Sequence, residues 1–274
     1  MRYTKNNPLR LFEICAGYGS QAISLRRLRE IYPDFDYELV GYAEYDPETP
    51  NVPMDSQPAV IAHNALHPEC IEKNWGDITR ITWEELPDFD LLTYSTPCQS
   101  VSQAGLQHGF EEGSGTRSSI IWNVRDCVKA KRPKFLMLEN VKAMVSAKYV
   151  GLFNLWQMEL ERLGYYNFAQ VLNAKDFGVP QNRERIFLIS IRKDDNDPNP
   201  RYFFPKAKPL DVCLADVLER DVDEKYFLSD EMLARFCEKS MEEENLPDRN
   251  RPDIEEESDV CDGEDNFENF FVAQ

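Results

Sequence analysis

Three features of the chain predict an α/β fold, with a mostly parallel sheet and helices on both faces. Short, apolar, β-prone runs recur as far as Arg192, amphipathic helical stretches lie between several of them, and a glycine turn follows the first run. Strands are expected at 9–15, 37–44, 78–82, 89–94, 134–139, 167–173 and 186–192. Between the first two, 20–31 reads as a helix with Ala22, Leu25 and Leu28 on one face. The run 89–94 ends abruptly in Pro97-Cys98, so a buried strand should deliver a thiol to its carboxyl end, where ligands gather in open α/β sheets. Phe135–Leu138 is continuously apolar and ends on Glu139, which points that carboxylate to the same edge. A helix over 150–163, with Leu152, Leu155, Trp156, Met158, Leu160 and Leu163 as its apolar set, stops at Gly164. From Asp194 to Pro209 the chain turns rich in Asp, Asn and Pro, which marks the exit from a main domain over 1–209. Short helices are expected at 210–220 and 229–239, within a small region 210–240, and the acidic stretch 241–274 reads as a disordered tail.

Composition limits the function classes. The net charge is −18, which taken alone speaks against a nucleic-acid partner. The charge is uneven, however: residues 238–274 hold 14 acidic and 3 basic side chains, so the rest is only mildly acidic. Basic clusters stand at Lys129-Ala130-Lys131-Arg132-Pro133-Lys134 and at Arg183 and Arg185. No apolar run reaches the roughly 18 residues of a membrane span, so no membrane partner is expected. The amino terminus has no apolar stretch of the signal-peptide kind. Seven scattered cysteines without a Cys-x-x-Cys pair suit a reducing, cytoplasmic interior, with neither disulfides nor a zinc site. His63 and His67, four apart and followed by Pro68, read as a pair on a surface helix rather than as metal ligands.

The chemistry-bearing segments follow the strands. Cys15-Ala16-Gly17-Tyr18-Gly19 opens the first helix and, with Ser20-Gln21-Ala22, satisfies a Gly-x-Gly-x-x-Ala fingerprint. Glu44 stands at the end of the second strand, placed to take ribose hydroxyls. NAD and S-adenosylmethionine need the same two features, so this pattern does not choose between a dehydrogenase and a methyltransferase. Asp77, in Gly76-Asp77-Ile78, is a further carboxylate at an expected loop–strand junction, suited to an adenine amino group. Cys98 is a candidate nucleophile that needs basic surroundings to form its thiolate. Glu139, if buried, is a candidate proton donor. Arg183 and Arg185, at alternate positions before a strand, suit a phosphate or an aromatic carbonyl. The segment 99–116, with Gly105, Gly109, Gly113 and Gly115, is expected to be a mobile lid over the thiol.

Taken together, these segments resemble the DNA cytosine carbon-5 methyltransferases in order and spacing. Cys15–Gly19 matches the family's Phe-x-Gly-x-Gly cofactor turn, with cysteine in place of phenylalanine. Glu44, with Tyr45 beside it, matches the ribose-binding Glu, and Asp77 matches the adenine-contacting Asp. Pro97-Cys98-Gln99 matches the nucleophile motif, Glu139-Asn140-Val141 the Glu-Asn-Val motif, and Gln181, Arg183 and Arg185 the Gln-x-Arg-x-Arg motif. Gly115–Ser119 is similar to the segment between nucleophile and Glu-Asn-Val, where Ile120 and Trp122 would line the cofactor. The resemblance covers residues 9–192 and implies a Rossmann-like, S-adenosyl-L-methionine-dependent methyltransferase fold. It also implies a cofactor site formed by Cys15, Ala16, Gly17, Tyr18, Gly19, Glu44, Tyr45, Asp77, Ile78, Pro97 and Ile120. Methyl transfer would go to a cytosine flipped out of double-stranded DNA, through a covalent adduct of Cys98 supported by Glu139, Arg183 and Arg185.

The family's late motifs are not found after Tyr226-Phe227-Leu228-Ser229, where its target-recognition region usually begins. Gly263 lies in Asp262-Gly263-Glu264, not in the expected setting. On this reading the chain is a truncated product, one subunit of a split enzyme whose partner supplies the remainder, or a non-catalytic S-adenosylmethionine-binding module. A nicotinamide-dependent oxidoreductase is the last alternative, because it leaves three of the motifs without roles.

Overall fold

In a computed structural model, residues 3–97, 112–115, 117–194 and 197–235 are described. Among these residues six strands form one sheet, in the order β2-β1-β3-β4-β6-β5. They are β1 (Leu9–Ile14), β2 (Tyr37–Ala43), β3 (Leu91–Tyr94), β4 (Phe135–Val141), β5 (Tyr165–Asn173) and β6 (Glu184–Arg192). β2, β1, β3 and β4 run parallel, as expected. β6 runs antiparallel to β4 and β5 antiparallel to β6, so the far edge of the sheet reverses.

Alternation along β1 builds two cores. Phe12 and Ile14 face one side, with Leu92, Tyr94, Leu136 and Leu138, and are covered by α3 (Ile121–Lys131) and α4 (Val150–Arg162). Leu9 and Leu11 face the other side, with Leu39 and Tyr42, beneath α1 (Ser20–Ile31). Helices therefore lie on both faces. α1 buries Ala22 and Leu25, as its spacing predicts. α4 buries Phe153, Trp156 and Leu160, while Leu155 and Met158, expected on its apolar face, are half exposed. Gly164 ends it with φ 90, a left-handed conformation that glycine adopts without strain.

Several expectations are corrected. Residues 78–82 are not a strand: Ile78–Arg80 is a 3₁₀ turn. The Asp77 carboxylate starts that turn by accepting the Thr79 N–H at 2.9 Å and the Thr79 hydroxyl at 2.8 Å, which competes with an extended backbone. α3 was not expected as a helix, and α2 (Pro58–Leu66) was expected only as the surface helix of the two histidines. α2 begins with proline, and its buried face carries Val60 and His63 rather than an apolar stripe. His63 and His67 are not on the surface; both are fully buried. Of the expected helix 210–220, only α5 (Leu214–Val217) forms, capped by Cys213 and Asp216. α5 belongs to a second compact unit that begins at Asp211. Within that unit residues 230–235 are helical. No described helix is long and apolar enough to cross a membrane.

Candidate active site

Parallel pairing gathers the carboxyl ends of β2, β1, β3 and β4 at one edge of the sheet. Because β6 is antiparallel, its amino end comes to the same edge, where Arg185 sits opposite Val141. Across that edge stand, in turn, Glu44, the Cys15–Gly19 turn, Ser95–Pro97, Glu139–Asn140 and Arg185.

On the β2–β1–β3 side the edge opens into a cleft of about 260 Å³. Seven of the expected cofactor residues line it: Cys15, Glu44, Tyr45, Asp77, Ile78, Pro97 and Ile120. Ala16, Gly17, Tyr18 and Gly19 form the turn behind it rather than its wall. In that turn Cys15 has φ 53, Gly17 φ 56 and Gly19 φ 77. A left-handed non-glycine residue such as Cys15 is strained, and such strain clusters at ligand sites. The Gly17 N–H donates to Glu44 Oε2 at 2.7 Å, which ties the turn to the end of β2. Burial raises the Glu44 pKa above the ordinary carboxylate range, opposed by the N–H groups of Gly17 and Tyr45. The carboxylates of Glu44 and Asp77 thus line one concave site, an acceptor pair that fits a molecule whose diol and exocyclic amine donate. Asn74 aligns the two. Its Oδ1 accepts the N–H of Glu44 at 3.1 Å and that of Gly76 at 3.0 Å, and its Nδ2 donates to the Glu44 carbonyl at 3.1 Å. The role of Asn74 was not anticipated, nor were Ala43, Pro47 and Thr79 as lining; none belongs to a recognisable motif. Trp122, expected in the cofactor wall, packs edge-on against Trp156 at 5.6 Å instead.

On the β4–β6 side, Arg185 Nε lies 3.1 Å from Glu139 Oε1, with both side chains about one-fifth exposed. Glu139 is thus ion-paired at the rim rather than buried alone as expected. Arg183 is exposed, and its backbone N–H donates to Asn173 Oδ1 at 3.0 Å. Asn140, which the sequence offered only as a motif letter, is buried. Its Nδ2 donates to the Thr96 carbonyl at 3.0 Å, and its Oδ1 accepts the Val141 N–H at 2.9 Å. That bond anchors the β3 exit just before the expected nucleophile. Cys98, Gln99 and most of the expected lid, 99–111 and 116, lie outside the described residues, as does the acidic tail 241–274.

The three lysines of the basic cluster at 129–134 each have a partner. Lys129 lies 3.9 Å from Glu159, Lys131 bonds the carbonyls of Glu84 and Leu86, and Lys134 pairs with Asp194.

Comparison with known proteins identifies the family. The family model described as C-5 cytosine-specific DNA methylase matches residues 9–263, more of the chain than the motifs alone covered. The chain is 36% identical over 267 residues to "Type II methyltransferase M2.ScrFI" of Lactococcus lactis subsp. cremoris, covering 82% of this chain and 72% of that protein. It is 32% identical over 256 residues to "Orphan methyltransferase M.Rho11sI" of Bacillus phage rho11s, covering 84% of this chain but 47% of that protein. Among solved structures, a mutant of Spodoptera frugiperda DNMT2 superposes with a TM-score of 0.60 at 19% identity, over 84% of this chain and 65% of that one. This likeness shows the fold.

Proposed function

Since the chain belongs to the C-5 cytosine-specific DNA methylase family, we propose that it methylates carbon 5 of a flipped-out cytosine in double-stranded DNA, using S-adenosyl-L-methionine. The observation that carries this reading is the shared sheet edge. The cleft with Glu44 and Asp77 stands on one side of Pro97, and the Glu139–Arg185 pair stands on the other.

The cofactor supplies an electrophilic methyl group. Glu44 would hold its ribose hydroxyls and Asp77 its adenine amino group, while Cys15, Ile78, Pro97 and Ile120 give the cleft its apolar wall and keep water from it. Carbon 5 of cytosine is a poor nucleophile. The Cys98 thiolate would add to carbon 6, which breaks the ring's aromaticity and makes carbon 5 enamine-like. Glu139 would hold a proton at ring nitrogen 3 and Arg185 would support the ring carbonyl, both stabilising the charge that addition creates. Arg183, at the exposed rim, would serve a phosphate. Carbon 5 would then take the methyl group, leaving the sulfonium as a neutral thioether; passing the carbon-5 proton to water and the nitrogen-3 proton back to Glu139 would expel the Cys98 thiolate and restore the ring. A stacked base cannot reach this edge, so the nucleotide must leave the duplex. A cytoplasmic location is part of this reading, and its bacterial and phage relatives support it.

A second subunit that supplies further recognition surface is part of this reading. The described residues of the second unit expose Leu214, Val217, Leu218, Tyr226 and Phe227, an apolar set that suits a protein partner.

The test is transfer of labelled methyl from S-adenosylmethionine to mixed-sequence DNA, beside Cys98→Ala. Label at cytosine carbon 5 that disappears in the variant, while cofactor still raises the Tm of both, is the expected result. No transfer by a folded, cofactor-binding chain would overturn autonomous activity and favour the split or non-catalytic alternatives. A Tm raised by NAD and not by S-adenosylmethionine would overturn the family chemistry altogether.

A further inference from the structure

The turn Ala16–Gly19 stands on a buried polar cluster to which methyl transfer assigns no part. Alternation along β1 turns Glu13 away from the apolar core of Phe12 and Ile14 and toward α1, where it is fully buried. Its Oε1 accepts the Ala22 N–H at 3.2 Å, in the first turn of α1. Its Oε2 lies 3.7 Å from His63 Nε2. The His63 ring stacks on Tyr42 with centroids 3.6 Å apart, and it lies 4.7 Å from the ring of His67. His67 Nε2 is 3.2 Å from the carbonyl oxygen of Tyr18. A carbonyl only accepts, so this nitrogen carries the proton and His67 donates to the turn. Gly19 closes the contact from above: a Cβ there would collide with the His67 ring. The turn that continues from the cleft's Cys15 therefore rests directly on this histidine.

We propose that His67 is a positioning residue for the cofactor: its neutral ring holds the Tyr18–Gly19 turn in the binding conformation, and a second proton on it releases the turn and weakens cofactor binding. This rests on the proposed S-adenosylmethionine site. The groups that face the ring set the direction. Glu13 approaches from β1, His63 from α2 and Tyr42 from β2. Glu69 Oε1 lies 3.9 Å from His67 Nδ1. Arg26 of α1 caps the neighbouring Leu66 carbonyl, and Glu44 stands beyond the turn. Burial pushes the Tyr42 hydroxyl up and the Cys70 thiol to about 12, so both stay neutral through the histidine range.

Burial first, and then His63, lower the His67 pKa from its ordinary 6.5. The ring is thus held neutral down to acid conditions where a free histidine is charged. When it does protonate, the new charge lies 4.7 Å from the His63 ring in a site that excludes water, and a move towards solvent relieves that burial. The glycine turn offers no side chain to resist the movement. By linkage, bound cofactor must make His67 harder to protonate by the same factor.

The chain has three histidines, His63, His67 and His108, so ring signals can be assigned by substituting the other two. The experiment measures the Kd for S-adenosylmethionine by calorimetry from about pH 8 to about pH 5.5, for the full chain and for His67→Gln, and follows the histidine rings by NMR with and without cofactor. Affinity of the unmodified chain should fall about fivefold or more as acid is added, and saturating cofactor should lower the His67 midpoint correspondingly. Glutamine can still donate an N–H to Tyr18 but cannot titrate. His67→Gln should bind about threefold more weakly at the alkaline end and lose that fall, keeping only the later one due to Glu44. An identical fall in the variant, or a His67 midpoint that cofactor leaves in place, overturns the positioning role and leaves the cofactor site standing. A folded chain that does not bind the cofactor at the alkaline end overturns both. Should His67→Gln fail to fold, the NMR titration of the unmodified chain decides alone.

Discussion

The two faces of the sheet are packed with different chemistry. Beneath α3 and α4 the core is apolar, and its polar atoms are matched: Trp156 Nε1 donates to the Tyr94 hydroxyl at 3.2 Å, and the Tyr165 hydroxyl donates to the Pro133 carbonyl at 2.7 Å. Beneath α1 and α2 the same sheet buries Glu13, His63 and His67, and neither ring nitrogen of His63 has a hydrogen-bond partner among the described residues. One strand makes both, since Phe12 and Ile14 point to the first face and Glu13 to the second. The difference teaches a division of labour. The matched apolar face contributes stability whatever the pH. The unmatched polar face lies under the Ala16–Gly19 turn of the proposed cofactor site, and the pH dependence proposed above belongs to it.

The largest expected effect tests the first half of that contrast. Trp156 is fully buried against Tyr94 and Trp122. Trp156→Ala should cost about 3–5 kcal/mol, the usual price of removing a large aromatic from a core that cannot collapse around the hole. Denaturant unfolding at two pH values checks it, and the loss should be the same at both. A loss that varies with pH would mean that the two faces are coupled through the sheet.

The second test converts the polar face into an apolar one. Replacing a buried ion pair by hydrophobic residues of similar volume is often neutral or stabilising, by about 1–4 kcal/mol. Glu13→Met combined with His63→Leu gives up the Ala22 contact, so a change within about 2 kcal/mol of the unmodified chain is expected at neutral pH. The sign in acid is clearer. His67 titrates below its unfolded value of 6.5, so the unfolded chain takes up the proton first, and stability falls as pH drops through 6.5 towards the folded value. Removing His63 takes away one cause of the lowered value and removing Glu13 takes away an opposing one, so the Tm of the double variant should fall over this range about as much as that of the unmodified chain. Cofactor affinity should suffer although stability does not, because the ring beneath the turn has lost its neighbour.

Much of this was legible in the sequence because apolar runs and glycine turns act locally. β1, β2, β3 and β4 fall within one or two residues of their expected limits, and α1 matches at both ends. Glu44 and Asp77 could be found by their spacing from the glycine turn and by the resemblance those motifs carry. The polar face was not legible. Glu13 sits inside an apolar run, where a carboxylate reads as a strand's solvent side, and only the covering helix α2 decides otherwise. His63 and His67 were misread for the same reason. The Glu139–Arg185 contact escaped because each residue was assigned separately. An expected parallel sheet would not suggest that the amino end of β6 returns to the carboxyl end of β4.

The smallest expected effect lies on neither face and serves to calibrate both. Lys142 Nζ lies 2.7 Å from Glu184 Oε1 and 2.9 Å from its Oε2, at the rim beside Arg185, with both side chains about half exposed. Close geometry alone is a poor guide to energy here. Two long side chains give up rotamer freedom to meet, water screens what they gain, and exposed pairs contribute about 0–1 kcal/mol. Lys142→Met should therefore shift the Tm barely and leave cofactor affinity at both ends of the pH range untouched. Its bonds end at Glu184, one residue from Arg185, so methyl transfer is the more sensitive readout. A drop in transfer without a drop in Tm would show that the rim pair helps orient Arg185 towards Glu139. A loss of stability well beyond about 1 kcal/mol would mean instead that the β4–β6 edge carries stability of its own. The contrast between two packed faces would then need a third region, the reversed edge of the sheet, to account for how this chain holds together.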